Sequence, residues 1–146
     1  MSYQAAFAKI NKKRELLLKH NRLVNQACTD EELASIREAQ KVSYLPKIYR
    51  EFFQVNCHRP LDETGETPAY EFLKYVKKLA YKILLNEADL PEDSFIFWAD
   101  YVHVFYYFRT GGEEFDPEVY IIRESYETEH YKYSEHLSEF LLKKLL

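Results

Sequence analysis

The sequence predicts one α+β domain over residues 1–146: a predominantly antiparallel sheet covered on one side by helices, with N-terminal helices, then strands, then a C-terminal helix. Three observations lead there. Apolar residues recur at helical spacing to about residue 86, and from Ser94 the period shortens to that of strands. Only 3 Gly and 5 Pro leave little room for long irregular connections. At 146 residues, 47% hydrophobic and 30% charged, the chain suits one buried core and is too short for two.

Residues 5–25 read as a helix, with Phe7, Ile10, Leu17 and Val24 at helical spacing and Lys9, Lys12, Lys13, Arg14, Lys19 and Arg22 largely elsewhere. Residues 1–27 are expected to be an N-terminal helix that extends the domain. Thr29 followed by Glu32 is a capping box, in which each side chain satisfies a backbone N–H of the first turn, and Asp30 and Glu31 suit the positive end of the helix dipole. That short helix runs through Leu33, Ile36 and Ala39/Gln40 to about residue 41. Pro46 opens the next one, since its missing N–H would go unpaired there anyway. Over Pro46–Val55, Ile48, Tyr49, Phe52, Phe53 and Val55 cover much of the circumference, which predicts deep packing. The polar stretch Asn56–Thr67 reads as a loop. Thr67-Pro68 starts a helix whose stripe is Phe72, Leu73, Val76, Leu79, Ala80, Ile83 and Leu84, ending near Asn86.

Runs of aromatic and β-branched residues then predict three strands, at about 94–99, 102–109 and 118–124. Only Asp100-Tyr101 separates the first two, which suggests a tight hairpin. Gly111-Gly112 and Asp116-Pro117 mark the next turn. Residues 134–145 close the chain as a helix capped by Ser134, with Leu137, Phe140, Leu141 and Leu145 facing inward. In the second strand Val102, Val104, Tyr106 and Phe108 make an apolar face. His103, Phe105, Tyr107 and Arg109 make an aromatic, wet-tolerant face, expected to stay open to a partner or a covering loop.

Charge is unevenly spread. Residues 1–60 carry 11 Lys and Arg against 6 Asp and Glu, a net of +5, while residues 61–146 carry 9 against 18, a net of −9. Between 113 and 135 stand eight acids against Arg123 and Lys132. Such asymmetry suits two solvated faces, or an acidic surface that meets a basic partner. The 13 Tyr suit half-buried and interface positions, because the ring brings large area at low entropic cost with a polar tip.

Several function classes are disfavoured. No stretch approaches the roughly 20 apolar residues of a membrane-spanning helix. The N-terminus mixes charge with apolar residues and fits no secretory signal, so a cytoplasmic location is expected. Cys28 and Cys57 read as two free thiols in a reducing compartment. His20, His58, His103, His130 and His136 show no metal-ligand spacing with each other or with the cysteines. Glu113 and Glu114 lie in a turn without a nearby nucleophile, so no catalytic residue, metal or cofactor is expected. A sequence pI of about 5.8 argues against nucleic acid.

Certain residues carry a family resemblance. Thr29-Asp30-Glu31-Glu32-Leu33, then Leu45-Pro46, Tyr49, Phe52-Phe53 and Asn56, resemble the opening of the SUKH superfamily in its Smi/Knr-type branch. Phe95-Ile96-Phe97-Trp98, Val104 to Arg109, Asp116-Pro117-Glu118-Val119-Tyr120 and Ser138-Glu139-Phe140-Leu141 are similar to its later elements. The likeness spans about residues 28–56 and 93–142. It departs at Asn56-Cys57, where the family has Asn-Gly, and at Ala99-Asp100-Tyr101-Val102-His103, which replaces a His-Gln-Gly-Tyr-like turn. The family includes bacterial immunity proteins that neutralise polymorphic toxins and eukaryotic regulatory scaffolds of cell-wall assembly. The resemblance therefore implies protein binding without chemistry.

The combined expectation is an immunity-type domain whose partner is a protein, a basic toxin domain in particular, and which is itself a monomer or homodimer. The expected contact residues are Trp98, Asp100, Tyr101, His103, Tyr107, Arg109, Glu113 and Glu114. A regulatory adaptor is one alternative. A carrier or enzyme of small ligands, with a cleft between helices and sheet, is the other.

Overall fold

The structure, a computed structural model, describes residues 28–56, 69–84, 90–100, 104–123 and 129–145, with Ala5, Ala8, Lys9 and Lys12. Those last four are helical, and the rest of the expected first helix, residues 57–67 of the expected Asn56–Thr67 loop, and Thr67-Pro68, expected to start the next helix, lie outside the described residues.

Helix α1 (Asp30–Gln40) begins at the capping box: the Glu32 N–H donates to Thr29 Oγ1 at 3.1 Å, and the Thr29 N–H donates to Glu32 Oε1 at 3.1 Å. It ends at Lys41, whose left-handed backbone (φ 57°) lets its N–H return to the carbonyls of Arg37 and Glu38. Helix α2 (Lys47–Asn56) starts directly after Pro46 and buries Ile48, Tyr49 and Phe53 completely. Helix α3 (Ala69–Leu84) buries Leu73, Val76, Ala80 and Leu84 along one stripe.

Strands β1 (Ser94–Asp100), β2 (Val104–Arg109), β3 (Val119–Arg123) and β4 (Glu129–Ser134) form an antiparallel sheet in the order β1-β2-β3-β4, and helix α4 (Leu137–Leu145) follows. Helices before strands and one helix at the end match the sequence reading. The core is aromatic. Tyr49 of α2 meets Phe95, Phe97 and Phe108 edge-on at 5.3–5.9 Å, and Phe140 of α4 meets Phe97, Trp98 and Tyr106. One sheet face thus lies under α2 and α4. A register shift between Ile96 and Trp98 lets both Phe97 and Trp98 reach Phe140. Helices α1 and α3 pack on each other and against β1.

Four expectations change. β4 is an additional strand, in which Tyr131 and Tyr133 alternate with His130 and Lys132. Asp100 pairs with Val104 as the last residue of β1, so it does not lie in the expected turn; residues 101–103 lie outside the described residues. The second face is not open at its centre: Phe105 is 0% and Tyr107 2% exposed, with Ile96 and Ile122 also buried. Ser134 does not cap α4. That helix starts at Leu137, and Asp116 from the preceding loop takes the Ser138 N–H at 2.8 Å and the Ser138 hydroxyl at 2.6 Å.

The two sheet edges also differ. At β1 the Gln40 side-chain amide donates to the Ile96 carbonyl at 2.8 Å and its oxygen accepts the Ile96 N–H at 2.7 Å, so a side chain does the work of a further strand. Lys77 adds a bond to the Ser94 carbonyl at 2.7 Å.

Candidate functional site

The expected contact residues fall into separate places. Trp98 and Asp100 stand at one end of the β1–β2 pair, and Arg109 stands at the other, opposite Ser94. Six residue steps along β1 separate Asp100 from Ser94, roughly 20 Å. Asp100 is engaged internally, accepting from Tyr106 Oη at 2.8 Å and from Trp98 Nε1 at 3.3 Å. Tyr107 is buried between strands; its ring stacks on Tyr120 at 5.4 Å and its hydroxyl meets His130 Nε2. Burial pushes the Tyr107 phenol up to about 12, so it stays protonated at neutral pH. Tyr101 and His103 lie outside the described residues.

Arg109, Glu113 and Glu114 do share one surface, in and around the 110–118 loop. Asp93 organises its first turn. Its carboxylate accepts from Arg109 Nε at 3.0 Å and from the Gly111 N–H at 3.2 Å, and its carbonyl accepts the Thr110 N–H at 3.0 Å and hydroxyl at 2.8 Å. A Cβ on Gly111 would come within 2.7 Å of Asp93 Oδ2, so any larger residue displaces that carboxylate. Glu113 adopts φ 50° and its N–H closes back on the Thr110 carbonyl at 3.1 Å. Tyr44 Oη donates to the Glu114 carbonyl at 3.3 Å. At the far end Asp116 holds α4 as described, and the Pro117 carbonyl accepts the Leu137 N–H at 2.7 Å. The loop is pinned at both ends and in the middle.

What the loop presents is Phe115, 63% exposed, between Glu113, Glu114 and Asp116. Beside it opens a cleft of about 290 Å³ lined by Asp93, Arg109, Gly111, Glu114, Glu118 and Tyr120. Its carboxylates outnumber its one guanidinium. Lys132 Nζ lies 3.0 Å from Glu118 and 2.8 Å from Glu135, and these carboxylates hold its proton more tightly than usual. The carboxylates of Glu113 and Glu114 make no hydrogen bond or ion pair among the described residues.

Phe115 was not among the expected contacts. Its signal is a lone large apolar residue inside an acidic run, bracketed by Gly111-Gly112 and Asp116-Pro117 turns. A second open cleft, about 370 Å³, lies between α1 and α2, lined by Leu33, Arg37, Lys47 and Arg50 among others. Cys28 lines it too and is disulfide-bonded, which corrects the expected free thiol there; Cys57 lies outside the described residues. Among the described residues no group of three or more His, Cys, Asp and Glu side chains could hold a metal ion, and no helix is long and apolar enough to cross a membrane. No protein-family model, no curated protein and no solved structure matches this chain.

Proposed function

We propose that the chain is a non-catalytic protein-binding domain of immunity type, which neutralises a basic toxin domain by direct docking on the 110–118 loop. The observation that carries this reading is Phe115: a large apolar ring, 63% exposed, on a loop tied down by backbone and side-chain bonds and framed by acids. A rigid aromatic anchor with a charged rim has the anatomy of an interface hot spot, because the ring gains from desolvation while ordering the loop costs little further entropy. The net of −9 over residues 61–146 favours a basic partner and speeds encounter with it. The resemblance to the SUKH superfamily supports the same reading, and a regulatory adaptor would use the same surface.

The small-ligand alternative draws less support. The cleft beside the loop is open, and Asp93 and Arg109, its central polar groups, are committed to each other at 3.0 Å. The Cys28 disulfide bears on the compartment: such bonds persist in oxidising surroundings, so the cytoplasmic location forms no part of the proposal.

Co-expression with the toxin-like products of neighbouring reading frames, scored for growth rescue and for a stoichiometric complex, tests the function. The parent chain should rescue growth. Glu113→Lys with Glu114→Lys should weaken the complex by about tenfold at low salt, mainly by slowing association. Equal rescue and equal affinity for the double variant would remove this surface from the account.

A further inference from the structure

We propose that the exposed face of α3 docks on the 110–118 loop of a second copy of this chain, so that the protein associates weakly with itself and covers Phe115 until a tighter partner displaces the copy. The role of this contact rests on the protein-binding reading of the loop, whereas its existence does not.

The outer side of α3 carries it. The helix turns Leu73, Val76, Ala80 and Leu84 into the core. At 3.6 residues per turn, Glu71, Lys74, Tyr75, Lys78, Tyr81 and Lys82 fall within about one third of the circumference, over roughly 16 Å of its length. All six are exposed, Tyr75 at 44% and Tyr81 at 38%. Lys74 Nζ lies 5.2 Å from the centre of the Tyr70 ring. Lys74, Lys78 and Lys82 make no ion pair among the described residues. Four residues on from Lys74 and from Lys78 stands another lysine instead of a glutamate, so like charges stack along the helix. Such a row slightly destabilises the helix by itself, and an acidic surface laid against it relieves the repulsion.

Charge and ring content then select the occupant. Among the described residues the exposed large apolar side chains are Tyr75, Tyr81, Phe115, Tyr131 and Tyr133. Tyr75 and Tyr81 stand among lysines, and Phe115 stands beside the exposed Glu113 and Glu114. Laying the loop on α3 therefore sets the Phe115 ring against tyrosines and the two glutamates against the lysine row, a match in both respects. Because the loop is already pinned, little entropy is lost on docking. Residues 61–146, which include α3, carry a net of −9. That field repels an extended polyanion such as nucleic acid or an acidic lipid surface, whereas a short acidic loop meets the lysines alone. One helix face is smaller than the interface of a permanent assembly, so the contact is weak and reversible. A two-fold pair makes the contact twice and a row makes it once per junction; both are self-association.

Sedimentation velocity of the full chain, at up to about 1 mM and at about 20 and 300 mM salt, tests the contact. The average mass should rise with concentration at low salt and return towards that of one chain at high salt. Lys74→Glu with Lys78→Glu and Lys82→Glu should raise the dissociation constant by about tenfold or more, and so should Glu113→Lys with Glu114→Lys, with circular dichroism spectra unchanged. Mixing these two variants restores opposite charges at the contact, so the mixture should associate although neither variant does alone. Tyr75→Ser, which changes no charge, should weaken association by about threefold. A parent chain that stays monomeric, a mixture that stays monomeric, or association unchanged in all these variants overturns the proposal. Binding of the parent to phosphatidylserine vesicles or to a single-stranded oligonucleotide, lost in the lysine variant and without self-association, makes another occupant of α3 and also overturns it. Growth rescue reads the proposed function separately: a chain that rescues cells yet stays monomeric loses this inference only.

Discussion

Lys77 shows how much one side chain can organise. It is 6% exposed, and its ammonium donates to the carbonyls of Gln40 at 2.6 Å, Glu92 at 2.7 Å and Ser94 at 2.7 Å, tying α1, α3 and the start of β1 together. Burial lowers its pKa to about 8, partly offset by Asp93 and Glu92, so it remains mostly charged at neutral pH. Replacing it by methionine strands three carbonyl acceptors. Urea denaturation of Lys77→Met should therefore show a loss of about 3 kcal/mol. The pH dependence has a definite sign. The folded value of about 8 lies below the ordinary 10.5, so between them the unfolded chain binds this proton more tightly. The parent should gain stability from this group as pH rises from about 8, and Lys77→Met should lack that gain. The buried phenols act oppositely. The Tyr107 pKa is raised from 10.0 to about 12 and that of Tyr49 is also raised by burial, so stability that they contribute below pH 10 is lost above it.

Elements differ in how far their own residues declare them. The start of α1 was legible because Thr29 and Glu32 meet across one turn, and the core faces of α2 and α3 were legible from helical spacing. Contacts between distant segments were not. Gln40 reads as the polar end of a helix stripe, yet it seals β1 through a residue 56 positions away. Asp116 reads as a turn former beside Pro117, yet it caps α4 from 22 positions away, a role that the local signal assigns to Ser134. β4 escaped because neither of its faces is purely apolar, although the alternation of Tyr131 and Tyr133 with polar residues carries the strand period. The candidate site was half legible: Arg109, Glu113 and Glu114 do gather at one loop, while Tyr107 lies within the sheet and Phe115 gives no periodic signal. Two stability measurements bear on these tertiary devices. Gln40→Leu leaves the Ile96 N–H and carbonyl without partners and should cost about 2 kcal/mol. Asp116→Ala removes a cap and should cost about 1 kcal/mol, with amide exchange speeding first in the opening turn of α4.

Taken whole, the molecule joins a sealed aromatic core to an uneven surface charge, with a net of +5 over residues 1–60 and −9 over residues 61–146. Its buried faces give stability, and the surface proposed for recognition is the pinned loop at one end of the sheet. Docking of a basic partner on acids should be steered electrostatically. Its association rate should fall by about tenfold between 20 and 200 mM salt, with the dissociation rate much less affected. The most direct measurement is the equilibrium affinity of Phe115→Ala for the protein that forms a stoichiometric complex with the parent chain. An affinity reduced by about 30-fold, near 2 kcal/mol, with the thermal transition unchanged, is the expected result. Affinity equal to that of the parent would mean that the loop does not anchor the partner, and would contradict the account.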